Sequence, residues 1–93
     1  MLFTKDHYGL PISQKLSNYL TSNLSEHNYA NVATKTGVGL STIKYVAKRT
    51  NVLTERNAVA IIDLMRIAIH NCEHKMFMAK EAKDYLTTKL KSK

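Results

Sequence analysis

A single cysteine, Cys72, leaves the chain without an internal disulfide framework, which fits a reducing compartment. No apolar run approaches the ~20 residues of a membrane span, and the opening residues, MLFTKDHYGL, lack the apolar block of a signal peptide. The expected setting is therefore the cytoplasm, or the nucleoid if the source is bacterial or phage. Acidic residues are scarce too: seven Asp and Glu stand against fourteen Lys and Arg, a formal net charge of +7. That balance points to a polyanionic partner, nucleic acid or an acidic membrane surface, although a basic surface also keeps proteins soluble without binding anything. Catalytic groupings are missing. Ser41 has no nearby histidine or acid arranged to activate it, and TKTGVGLST lacks the G-K-[ST] ending of a phosphate-binding loop. His70 and His74 are spaced i, i+4, but Cys72 points ~200° away from His70 on a helix and no third ligand is local. Neither an enzyme, a cofactor, a metal site nor a small-molecule ligand is expected.

What is present is enough for one small core. Ninety-three residues, 44% of them apolar, make a single domain, and the spacing of the apolar residues predicts an all-α fold of four to five helices. Phe3, Tyr8 and Leu10 can close over that core, while Gly9 and Pro11 mark a break. Pro11 or Ser13 opens a first helix over about 12–24, with Ile12, Leu16, Tyr19, Leu20 and Leu24 recurring at three- and four-residue steps. Asn28 is the expected N-cap of a second helix over 29–36.

The chain is organised around residues 29–48, YANVATKTGVGLSTIKYVAK, which read as two short helices joined by a glycine turn. Val32 and Ala33 lie on the inner face of the first. Gly37 stands where the chain must bend, and Val38, Ile43 and Val46 point back at that face. The second of the pair runs over about 40–48. At ~100° per residue, Ile43, Val46 and Ala47 form its inner side, while Leu40, Ser41, Lys44, Tyr45 and Lys48 share the other. Cations, a hydroxyl, a phenol and an apolar side chain suit phosphates, base edges and thymine methyl groups.

VATKTGVGLSTIKYV resembles the helix-turn-helix of the lambda repressor and Cro-like family, and is similar to the headpiece of the lactose-repressor family, at Val32, Ala33, Gly37, Val38, Thr42, Ile43 and Val46. It departs at Gly39, where those families place serine or another capping side chain. The resemblance covers about twenty residues. It implies double-stranded DNA as the partner, with the second helix in the major groove and Leu40, Ser41, Lys44 and Tyr45 reading bases. Asn28, Tyr29, Lys35, Gly39, Thr42, Lys48 and Arg49 then lie near phosphates. No Arg, Asn or Gln stands among the four base-reading positions, so sequence preference is expected to lean on Lys44 and on DNA shape. A small repressor-like transcriptional regulator is the expected function, with a protein-interaction module or a nonspecific architectural DNA-binding protein as the alternatives.

Thr54 is the expected N-cap of the next helix, with Glu55 in its first turn. From 54 to 91 there is neither proline nor glycine, and an apolar stripe runs from Ala58 through Ile61, Met65 and Ile69 to Leu86 and Leu90. One helix over this span would be ~55 Å long. A break within 70–74 giving two helices is favoured over one long projecting helix, because a core this small has little use for that length. The run Met76, Phe77, Met78 is wider than one helix face. It predicts either packing against helix one or a homodimer seam over 76–90, with 76–93 as the accessory element and recognition helices ~34 Å apart.

Overall fold

The computed structural model describes residues 2–92. They form a short 3-10 turn, Lys5–His7, followed by four α-helices: α1 Gln14–Asn23, α2 Glu26–Thr36, α3 Leu40–Ala47 and α4 Glu55–Lys91. The fold is all-α, and no described helix is long and apolar enough to cross a membrane.

Each helix start has a local cause. Ser13, not Pro11, caps α1 by accepting the Leu16 N–H. In α2 the cap is Ser25 rather than Asn28. Ser25 accepts the Asn28 N–H while the Asn28 side chain accepts from the Ser25 backbone, so the helix begins three residues earlier than the sequence predicts and Asn28 lies inside its first turn. Thr54 and Asn57 make the same reciprocal pair at the start of α4.

The core is built from Leu20, Val32, Ile43, Val46, Leu53, Ile61 and Leu64, all fully buried, with Phe3, Ile12 and Tyr29 at its margins. Tyr19 departs from its predicted stripe and faces outward. Two backbone bonds, Gly9 N–H to Leu53 O and Leu53 N–H to Leu10 O, tie the N-terminal segment to the stretch before α4. Ser17 reaches from α1 to donate to the Ala47 carbonyl at 2.6 Å, taking up an acceptor that the end of α3 would otherwise leave free in a buried place. Lys35 and Asp63 pair at 3.2 Å where α2 crosses α4.

The largest departure from expectation is α4. No break occurs at 70–74, and the helix runs unbroken for 37 residues, giving the molecule extents of 61 × 25 × 23 Å. Asn71 donates to Asn23 O and Asn28 Oδ1, and Lys75 reaches Ser22 O and Asn23 Oδ1. These are the last ties to the body. Residues 73–92 are exposed throughout, so 76–90 does not pack on α1.

Candidate nucleic-acid interface

The α2–turn–α3 unit is positioned by its inner face. Val32 on α2, Val38 in the turn, and Ile43, Val46 and Ala47 on α3 are all buried, and Ala33 is half-buried. Gly37 ends α2 at φ 75° with its N–H on Ala33 O, the left-handed conformation that costs a residue with a Cβ about 1 kcal/mol. Gly39 precedes α3 without a side-chain cap. A Cβ there would meet only Thr42 Oγ1 at 3.6 Å, an ordinary contact.

With that side buried, the opposite side of α3 faces solvent. Leu40, Ser41, Tyr45 and Lys48 are exposed and Lys44 is half-buried. Lys44 is not free: its Nζ lies 2.9 Å from Glu26 Oε2 in the first turn of α2, the two side chains being 27% and 74% exposed. With the Glu26 carboxylate open to solvent, the pair is screened on that side, and Lys44 can leave it for a stronger anion. Glu26 is nonetheless a negative charge set beside the outer face of α3.

The residues expected near phosphates divide. Lys48, at the end of α3, is exposed and unpaired among the described residues. Gly39 and Thr42 border a groove of about 410 Å³ shared with Asn51, Thr54 and Arg56. Tyr29 is only 6% exposed, so its ring belongs to the core; burial, with the nearby Glu26 carboxylate, raises its phenol above the ordinary value. Asn28 spends its side-chain oxygen on Ser25 and Asn71. Lys35 extends toward α4 and Asp63. Arg49 adopts φ 66° just past α3, where Arg49 N–H bonds Val46 O and Thr50 N–H bonds Tyr45 O, closing the helix end. Its guanidinium donates to Ile12 O at 2.6 Å and to Gln14 Oε1 at 3.1 Å. Arg49, though exposed, thus ties the N-terminal segment to the end of α3.

The structure brings Leu40, Ser41, Lys44, Tyr45 and Lys48 onto one face, buries Tyr29, commits the Asn28 oxygen to internal bonds, and gives Lys35 and Arg49, both exposed, partners within the fold. It adds Glu26 and Arg56, which the sequence reading missed, and sets Asn51, from a loop expected to return along the DNA backbone, in the groove with Arg56. Among these only Arg56, a cation in the first turn of a capped helix, carried a signal in the sequence. No three metal-ligating groups come together among the described residues. No family model matches the chain, and no curated protein or solved structure matches it.

Proposed function

We propose that the protein binds double-stranded DNA as a small repressor-like regulator, with α2, the turn and α3 acting as a helix-turn-helix and α3 entering the major groove. The observation that carries this reading is the two-sidedness of α3: Ile43, Val46 and Ala47 are wholly buried, while Leu40, Ser41, Tyr45 and Lys48 are exposed on the opposite face, which Lys44, half-buried beside Glu26, shares. A net charge of +7 supplies the attraction for phosphate. Ser41, Lys44 and Tyr45 read base edges, Leu40 meets a thymine methyl group, and Lys48 meets phosphate. Arg56 and Asn51, beside Gly39 and Thr42, extend the phosphate contact to the start of α4. To read a base, Lys44 exchanges Glu26 for the duplex.

Fluorescence anisotropy on labelled duplexes across a salt series tests it. Lys48→Ala weakens all sequences alike and lowers the salt slope by about one. Lys44→Ala flattens sequence preference. Glu26→Gln removes the competing carboxylate and tightens binding several-fold, an effect about the size of an exposed ion pair. Binding that ignores all three substitutions would sink the assignment of this face. If none of the variants nor the parent binds duplex near physiological salt, the protein-interaction alternative takes its place.

A further inference from the structure

From Ile69 onward α4 carries an apolar stripe that, beyond Cys72, no described residue covers. Ile69, Met76, Leu86 and Leu90 are 60%, 71%, 64% and 83% exposed, and with Cys72, Ala79 and Lys83 they fall at alternating three- and four-residue steps. That 3.5-residue repeat is the seam of paired helices. Phe77 and Met78, also exposed, lie outside it, each ~130° round the helix from the seam. At its base the stripe runs into a groove of about 280 Å³ between α1 and α4, lined almost wholly by apolar atoms from Leu16, Tyr19, Leu20, Met65, Ile69 and Cys72. One end of the molecule thus presents an apolar rod, and the other end of the same stripe presents an apolar groove.

We infer that two copies of this chain pair through α4 in antiparallel fashion, the tip of each helix lying in the α1–α4 groove of the other. The occupant and the direction both follow from charge. In a parallel pair Lys83 of one copy meets Lys83 of the other on the seam, and Lys75 flanks Lys80, stacking like charges. An antiparallel pair centred between Phe77 and Met78 sets Leu86 on Ile69, Leu90 on Met65 and Met76 on Ala79. The same register places Glu73 of each copy beside Lys80 of the other, twice by symmetry. Lys80 rests on Asp84 at 2.9 Å within its own helix, an exposed i,i+4 pair that Glu73 can join or replace. Lys83 comes to the level of Cys72 and Glu73. The overlap spans about 26 residues, or roughly 38 Å of helix, long enough to reach the ~800 Å² per partner of a standard interface.

The pairing needs no DNA and stands or falls separately from the duplex reading. Where both hold, the first turns of the two α4 helices, each beside Thr42 of α3, lie roughly 60 Å apart, counting about 21 residues on either side of the two-fold. That is closer to two turns of duplex than to the ~34 Å of one.

Sedimentation equilibrium of the full chain without DNA at tens of micromolar should give the dimer mass; a monomer at ~100 µM would leave the stripe for some other occupant and overturn the proposal. Leu86→Lys/Leu90→Lys, changed where both side chains are exposed, should raise the dissociation constant at least about a hundredfold while cooperative unfolding of the body persists. Glu73→Lys should weaken the dimer and Glu73→Lys/Lys80→Glu should restore it. Direction is read by mild oxidation. Lys83→Cys should give a covalent dimer through Cys72, whereas the parent chain and Cys72→Ser/Lys83→Cys should not, their like sulfurs lying roughly 16 Å apart along the helices. A covalent dimer of the parent chain through Cys72, or a dimer that Lys83→Cys fails to trap, would overturn the antiparallel register.

Discussion

Residues 55–72 and residues 73–91 are turns of one helix, the first carrying four Ile and no Lys and the second five Lys and no Ile, and they live in different surroundings. The first carries Ile61 and Leu64 at full burial and ends on Asn71, bonded to α1 and α2; the second has no buried residue. Backbone continuity needs only the absence of proline and glycine and a supply of Ala, Lys, Glu, Leu and Met, which favour helix. Burial needs a neighbour. The comparison shows that an apolar stripe in a sequence reports a demand for cover and says nothing of whether the same chain meets it.

That contrast can be broken most sharply by paired truncations. Ile61→Ala should cost about 2–5 kcal/mol in urea unfolding, while Leu90→Ala, in solution dilute enough to keep copies apart, should stay within about 0.5 kcal/mol; equal costs would mean that the two halves of α4 are equally packed. Next in size is the polar tie. Ser17→Ala strands the Ala47 carbonyl and should cost roughly 1–3 kcal/mol, whereas Thr88→Ala in the projecting half should be neutral. The smallest effect is in alkali. Because burial raises the Tyr29 phenol above its ordinary value of 10.0, folding keeps it protonated to higher pH than unfolding does. The stability this contributes is complete below pH 10 and is lost as pH rises through the folded value. Tyr29→Phe should flatten the fall in stability above pH 10, and an unchanged alkaline limb would contradict the assignment.

The parts of the fold legible in the sequence are those governed by spacing within a few residues. Val32, Val38, Ile43 and Val46 are buried as their period predicts, Gly37 takes the positive φ its place demands, and Thr54 caps α4. The cap of α2 was misplaced because Ser25 and Asn28 are both good caps, and their reciprocal bond decides between them. The rest depended on partners far apart in the chain. Lys44 with Glu26, Lys35 with Asp63 and Arg49 with Ile12 are separated by 18, 28 and 37 residues, and no local pattern reveals that a lysine or arginine spends its charge within the fold. Three cations and a tyrosine that looked alike as phosphate contacts therefore divide. Lys48 stays outward, Lys35 and Arg49 turn to internal partners, and Tyr29 is buried.

The central claim is that the outer face of α3 reads duplex DNA. Selection from a pool of random duplexes at physiological salt, run in parallel with the parent chain and Lys44→Ala, tests it most directly. The account predicts an enriched motif for the parent chain, flattened for Lys44→Ala with general affinity largely kept. Duplex binding without enrichment would reduce the protein to an architectural binder, and a pool passing through unretained, with Lys44→Ala indistinguishable from the parent, would contradict the account.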